Sequence, residues 1–174
     1  MASPKRARGS ALALAALLFA WPAVARPADA GRSVASVSAP ILAPGIYGNA
    51  PLYGELDDSG SFRLNAPAGQ VSTGNPIYDA FLHRSLGSTI TVVGSSPRTI
   101  TANNRVRLYG VTATVLVAGR SAVVPLTVRT ISNPSGTWLR AHARVALDNY
   151  GIRSATGGPA GPLGVAISAY FPRR

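Results

Sequence analysis

The sequence predicts an all-β protein built from antiparallel strands, and three observations support that fold class. Apolar and polar residues alternate along most of the chain after residue 61, so each strand has one buried and one wetter face. Turn signals separate these segments, as in a meander, sandwich or barrel. One short segment near residues 79–86 is the only helical pattern after residue 30, and it is too short for a parallel β-α-β unit.

The longest alternation lies in the last third of the chain. One side of the predicted strand carries Leu139, Ala141, Ala143, Val145 and Leu147, and the other carries Trp138, Arg140, His142, Arg144 and Asp148. A closing strand follows over residues 164–171. Turns are predicted at residues 94–97, 119–121 and 157–164, where glycine, serine and proline interrupt the pattern.

The helical segment has its own start and stop signals. Asp79 is the predicted N-cap and Gly87 the predicted stop. Asp79 and His83 are four residues apart, so both side chains can share one helical face. This spacing is typical of a surface pair and also allows acid–base chemistry.

The first 30 residues have the three-part pattern of a secretory signal peptide. Lys5, Arg6 and Arg8 precede an apolar run over residues 11–21, and small residues follow it. The run is shorter than the roughly 20 residues that span a bilayer, although a membrane anchor or a buried N-terminal helix remains the alternative. We expect export to the periplasm.

Signal peptidase can cleave after either of two sites that have the small-x-small pattern. One ends at Ala25 and the other at Ala30. Residues 31–60 follow as a Pro/Gly-rich leader in which prolines interrupt every short apolar run. The folded domain is predicted over residues 61–174.

Composition narrows the classes of partner. The chain has 17 Lys+Arg against 6 Asp+Glu, a formal net charge of +11, and no cysteine. This charge favours anionic partners, including membrane surfaces. Nucleic acid is not expected, because no basic run stands beside an aromatic platform. The fold must be held by packing and sheet hydrogen bonds, since no disulfide can form.

No motif indicates catalysis, a metal or a cofactor. The two histidines, His83 and His142, have no cysteine to join them in a metal site, and neither a nucleophile elbow nor a phosphate-binding loop is present. We therefore expect no enzyme activity, no metal and no cofactor. A hydrolase using Asp79 and His83 is kept as the weakest hypothesis.

From Val71 to Phe171 the chain resembles the YceI-like family of exported lipid-binding proteins. Four segments carry the resemblance: residues 71–74 with 79–85, residues 108–126, residues 136–152, and residues 164–171. The first is similar to the family's strand ending in Ser/Thr-Gly and its short Asp-x-x-Leu-x-Ser turn. The second and third resemble a hairpin with a glycine turn and an Arg-containing strand, although Leu147 stands where the family has arginine.

The resemblance implies an antiparallel lipocalin-like barrel, complete or open, around an apolar tunnel. A barrel of about eight strands has room for side chains or one small ligand. The tunnel lining expected here is Phe81, Leu82, Ile90, Val92, Leu108, Val115, Leu126, Val145 and Leu147. The same residues are also the apolar face that any filled β-sandwich would have.

Two function hypotheses follow. In the first, the barrel sequesters or carries an isoprenoid-type lipid or quinone, and Arg84, Arg105 or Arg107 meets an anionic headgroup. In the second, the barrel is degenerate and filled, and its basic surface binds envelope polyanions or a protein partner. The oligomeric state is left open.

Overall fold

The computed structural model describes residues 25–38, 47–153 and 161–173, without the side chain of Ser96. Ten strands form one antiparallel sheet. They are β1 (Arg26–Pro27), β2 (Val34–Ser38), β3 (Gly48–Pro51), β4 (Tyr53–Leu56), β5 (Phe62–Pro67), β6 (Thr89–Ala102), β7 (Val106–Val117), β8 (Arg120–Asn133), β9 (Gly136–Ala146) and β10 (Pro162–Pro172). One helix, α1 (Pro76–Leu86), and two 3-10 turns complete the described residues.

The sheet curls into an open, lipocalin-like barrel, which confirms the predicted fold class. Its strand order is β1-β4-β5-β6-β7-β8-β9-β10-β2-β3. Only Leu52 separates β3 from β4 in the chain. The chain therefore connects β3, at one end of the sheet, directly to β4, the second strand from the other end. Across the seam, the amides and carbonyls of Asn49 and Ser72 exchange two hydrogen bonds, of 2.8 and 2.9 Å.

The expectation that residues 31–60 form an unpacked leader is wrong. This stretch contains β2, β3 and β4. Strand β2 pairs with β10, with Val37 opposite Val165, and β4 pairs with β5. The prolines did not prevent strands from forming, because Pro51 lies at the end of its strand, where the loss of a ladder N–H is tolerated.

The fold also begins earlier than residue 31. In β1, Arg26 pairs with Leu56, and the Asp29 amide donates to the Tyr170 carbonyl at 2.8 Å. The guanidinium of Arg32 stacks 3.8 Å from the centroid of the Tyr170 ring. The predicted signal-peptide boundary at residue 30 therefore falls inside a folded segment, whereas residues 1–24 lie outside the described part of the chain.

One apolar core fills the inside of the curled sheet. Its largest fully buried side chains are Phe62, Phe171, Leu64, Leu82, Leu139, Val71 and Val128. Both predicted alternations, in β9 and in β10, place their apolar residues on this inner face. Small residues make room for large ones: a Cβ added at Gly94 would lie 2.3 Å from the Phe62 ring.

Helix α1 covers one end of the barrel and begins earlier than predicted. Its N-cap is Asn75, whose side chain accepts a hydrogen bond from the Ile77 amide, and Pro76 occupies the first turn, where its missing N–H costs nothing. Asp79 lies in that first turn instead of capping it. The predicted stop at Gly87 is confirmed, and Leu82 and Leu86 are buried in the core.

Three turn predictions have different outcomes. Residues 94–97 are not a turn but an irregularity within β6, between Ser95 and Arg98. The β7–β8 hairpin turns at Ala118 and Gly119, one residue earlier than predicted. Half of the predicted turn at 157–164 lies outside the described residues, and residues 162–164 are already part of strand β10.

Among the described residues, no helix is both long enough and apolar enough to cross a membrane.

Candidate functional site

The barrel wall is split between β8 and β9. Their ladder runs from the Asn133–Gly136 pair to the Thr127–His142 pair and ends there. Beyond it, residues 120–126 of β8 pair only with β7, while residues 143–146 of β9 pair only with β10. The two strands therefore diverge toward the end of the barrel that carries α1.

A surface cavity of about 590 Å³, which we call the β8–β9 opening, lies at this split and extends over outward residues of β10 and β2, among them Gly164 and Ser38. Val124, Ala143 and Val165 line it from the inner face of the sheet, where they are half-buried against the core. His142 and Arg144 lie on its outer rim, and both are exposed. The opening thus joins apolar interior surface to a basic outer edge.

Pro125 helps to keep β8 free on this side. It lies inside a strand, pairs with Thr112 of β7 and lines the opening. Proline has no N–H to donate, so strands tolerate it where no second ladder needs that donor. This residue was the one local signal in the sequence that β8 has an unpaired edge.

A 3-10 turn over Leu147–Tyr150 closes the split toward the α1 end. Leu147, Tyr150 and Ile152 are buried in the core, and the Tyr150 hydroxyl donates to the Val115 carbonyl at 3.4 Å. Burial raises the pKa of Tyr150. The β8–β9 opening is therefore bounded at one end by the β8–β9 ladder and at the other end by this 3-10 turn.

A second cavity, of about 700 Å³, lies at the opposite end of the barrel, and we call it the polar pocket. Arg26, Arg105, Arg107 and Arg173 line it together with Asp57 and Asp58. The guanidinium of Arg26 lies 3.2 Å from the Asp58 carboxylate, and its buried Nε has no partner among the described residues. A hydrogen bond with Tyr109 raises the pKa of Arg107.

The structure brings most of the predicted lining residues together. Leu82, Val92, Val115, Leu126, Val145 and Leu147 are buried in the one core, and Phe81 and Ile90 are half-buried against it. Whether any of them contacts a ligand stays a prediction. The sequence did not identify Val124, Ala143 and Val165 as site residues, although the alternation placed Ala143 on the apolar face of its strand, because the split depends on strand pairing and not on local pattern.

Leu108 is an exception, and its assignment to the interior is wrong. Tyr109 and Val111 are buried, so Leu108 projects from the outer face of β7, where it is half-buried. The inward position next to it is Arg107, one of the three arginines that the sequence analysis suggested for a headgroup contact. Arg107 is accommodated there because it reaches the polar pocket at the strand end.

Asp79 and His83 make their hydrogen bonds to other groups and not to each other. The Asp79 carboxylate accepts from the Thr73 amide at 2.6 Å and the Thr73 hydroxyl at 2.7 Å. These hydrogen bonds hold the pKa of Asp79 below its ordinary value of 3.8. His83 Nε2 instead donates to the Val71 carbonyl at 2.8 Å. Both side chains therefore fasten α1 to the segment before it.

Arg84 was one of the arginines expected to contact an anionic headgroup. Its Nε–H donates a hydrogen bond to the Ala80 carbonyl within α1. Among the described residues, no three His, Cys, Asp or Glu side chains are grouped to hold a metal ion.

Comparison with solved structures finds the same architecture in other proteins. A polyisoprenoid-binding domain from Saccharophagus degradans, implicated in plant cell wall breakdown, superposes with a TM-score of 0.71. The match covers 87% of this chain and 99% of that one, at 14% identity. Burkholderia cenocepacia BcnA superposes with a TM-score of 0.67, over 82% of this chain and 98% of BcnA, also at 14% identity.

This chain has their fold. At 14% identity the likeness is one of architecture, and it confirms the barrel fold that the resemblance to the YceI-like family implied. No protein-family profile matches the chain, and no curated protein matches its sequence.

Proposed function

We propose that this protein binds a long isoprenoid-type chain, as a polyprenyl lipid or a quinone, in the interior of its barrel. The observation that carries the proposal is the β8–β9 opening, where inward-facing Val124, Ala143 and Val165 are only half-buried. Such side chains offer an apolar chain a way to the core without breaking a sheet ladder. The cavity volume, about 590 Å³, is within the usual range for ligand sites.

The driving force would be burial of hydrocarbon. Each methylene-sized group removed from water contributes about 0.8 kcal/mol, so a chain of several isoprene units needs no polar anchor for tight binding. The inner wall presents small side chains on several strands, among them Ala113, Ala141 and Ala169. These alanines are buried in the packed core, so a chain entering at Val124 would have to displace the side chains that pack against them.

The likeness in fold supports the same proposal. One protein of this architecture is a polyisoprenoid-binding domain, and the isoprenoid class is taken from it. We further propose that the chain is exported to the periplasm through its N-terminal signal pattern and that it is a binding protein, not an enzyme. A carrier of hydrophobic chains is useful between two membranes, where water separates donor from acceptor.

Native mass spectrometry tests the proposal. The full chain is expressed in an exporting Gram-negative host, purified without detergent, and then mixed with undecaprenol or ubiquinone. We expect a co-purified lipid mass, or a mass increment of one added ligand per chain. A bare mass in both cases, from folded protein, would contradict the proposal.

Two neighbouring valines supply a matched pair of variants. Val124→Trp places an indole in the β8–β9 opening, whereas Val123→Trp places one on the outer face, where Val123 is 68% exposed. In solution without vesicles, where contact with a membrane plays no part, we expect V124W to lose at least tenfold in ligand uptake and V123W to keep the wild-type level. Circular dichroism checks that both variants fold.

The filled core favours a second candidate, a barrel that binds nothing inside and acts through its surface. Phe62, Phe171 and Leu139 are completely buried without any ligand. In that case uptake of undecaprenol is absent, and V124W and V123W behave alike. The same titration therefore separates the two candidates.

A further inference from the structure

Charge is distributed unevenly over the sheet. Strands β6–β10 contain six arginines and no aspartate or glutamate. The six acids of the chain lie elsewhere, at Asp29, Glu55, Asp57, Asp58, Asp79 and Asp148. The outer face of β8 and β9 therefore has no carboxylate of its own to balance its cations.

Two of these arginines face each other. Arg129 of β8 and Arg140 of β9 are direct cross-strand partners, and both are exposed. Like charges at such positions destabilise an antiparallel pair. Among the described residues neither one forms an ion pair, so the arrangement is unfavourable for the isolated protein and is relieved when an anion binds between them.

The pair stands beside the β8–β9 opening. Arg140 and His142 are successive outward residues of β9, and Arg144 continues the same row onto the rim of the opening. The neighbouring outer surface of β8 carries Val123, which is exposed, and Tyr47, a residue that is 58% exposed, lines the opening. Cations next to exposed apolar and tyrosine side chains are typical of surfaces that rest on a bilayer.

We propose that this outer face, defined by Arg129, Arg140 and Arg144 with Val123 and Tyr47, docks on an anionic membrane surface. Docking there brings the β8–β9 opening against the lipid, so a chain can pass from bilayer to barrel without crossing water. The entry route rests on the proposed lipid binding. The docking itself rests on charge and exposure and is measured without any isoprenoid.

Vesicle co-sedimentation tests the docking face. The probes are phosphatidylglycerol–phosphatidylcholine vesicles and pure phosphatidylcholine vesicles, both free of isoprenoid. We expect binding to the anionic vesicles that weakens as salt is raised. Each arginine near an anionic surface accounts for about a fivefold change in affinity, so the triple variant R129Q/R140Q/R144Q should lose about 100-fold.

A matched triple variant separates this face from net charge. R84Q/R105Q/R173Q removes the same three charges from exposed positions outside the docking face and should lose much less binding. Equal losses in the two variants would overturn the proposal, as would equal binding to both vesicle types. Arg129-dependent binding to heparin or duplex DNA without vesicle binding would overturn it in favour of a soluble polyanion.

Failure of the docking proposal can be distinguished from failure of the proposed lipid binding. Vesicle docking without uptake of undecaprenol would leave the docking face standing and remove the lipid-binding proposal. Uptake of undecaprenol without docking on vesicles would leave the lipid-binding proposal standing and remove the docking face.

Discussion

Thr127 and His142 are the last residue pair of the β8–β9 ladder, and the barrel wall opens immediately beyond them. On the far side of this pair, each strand keeps its other neighbour, so the sheet loses one ladder without losing its curvature. The half-buried apolar residues at this place are therefore a consequence of strand pairing. They are also the part of the interior that a ligand can reach with the least rearrangement.

The Asp79 carboxylate should stabilise the junction between α1 and residues 72–73. We expect Asp79→Asn to lower the free energy of unfolding at neutral pH, because the charged acceptor of the Thr73 amide and hydroxyl is lost. Urea unfolding of wild type and variant measures the difference. Asp148→Asn serves as the control and should change stability little, since Asp148 is an exposed acid whose side chain makes no hydrogen bond among the described residues.

The Asp79 effect should depend on pH in a defined direction. The pKa of Asp79 is lower in the folded protein than its ordinary value of 3.8. Its stabilisation is therefore complete above about pH 3.8 and is lost as the pH falls through the folded-state pKa. A difference between wild type and D79N that stays constant from pH 7 to pH 2 would contradict this account.

Gly94 should be intolerant of any side chain. A Cβ at this position would lie 2.3 Å from the Phe62 ring, which is completely buried and has no room to move. We expect Gly94→Ala to destabilise by about 1–3 kcal/mol, as overpacked cores do. Gly69→Ala is the control, because nothing lies within 4 Å of its Cβ; thermal unfolding should leave it unchanged while G94A melts earlier.

Signal processing should occur after Ala25 and not after Ala30. A cut at Ala30 would remove β1, the contact from Arg26 to Thr137, and the hydrogen bonds made by Ala28 and Asp29. N-terminal sequencing of protein from the periplasm should find Arg26 first. A mature chain that begins at Gly31 would show the cut to be wrong, and protein found only uncleaved and only in the cytoplasm would show that export itself is wrong.

The same segment gives a stability prediction. A chain starting at Arg26 should be more stable than one starting at Gly31 by roughly 2–4 kcal/mol, at about 1 kcal/mol for each net hydrogen bond lost. Chemical denaturation of the two proteins measures this. Equal stability would mean that β1 adds nothing to the fold.

The sequence predicts those features that depend on local pattern. The alternation in β9 and β10 and the helix stop at Gly87 are seen as expected, because buried strands and helix ends have signatures within a few residues. Strands β2 and β3 were missed, since they are short and are held by distant partners, as Val37 is by Val165. Leu108 was wrongly assigned to the interior because the inward position beside it is occupied by an arginine, Arg107, and not by an apolar residue.

The candidate site was less accessible to sequence reasoning than the fold. Leu126 and Val145 were identified as interior residues, but their pattern is the same in a filled core and in a ligand cavity. What distinguishes the two is the point where β8 and β9 separate, and only Pro125 indicated it locally. The position at which two strands stop pairing leaves no periodic signal in the sequence of either strand.

A photoreactive isoprenoid shows whether a lipid chain enters the barrel through the β8–β9 opening. A polyprenol analogue carrying a diazirine is mixed with the protein, irradiated, and its attachment points are mapped by peptide mass spectrometry. We expect labelling at Val124, Ala143 and Val165 and at core residues behind them, and we expect unlabelled undecaprenol to compete all of it away. Labelling confined to outward residues such as Val123, or labelling that undecaprenol does not compete, would contradict it.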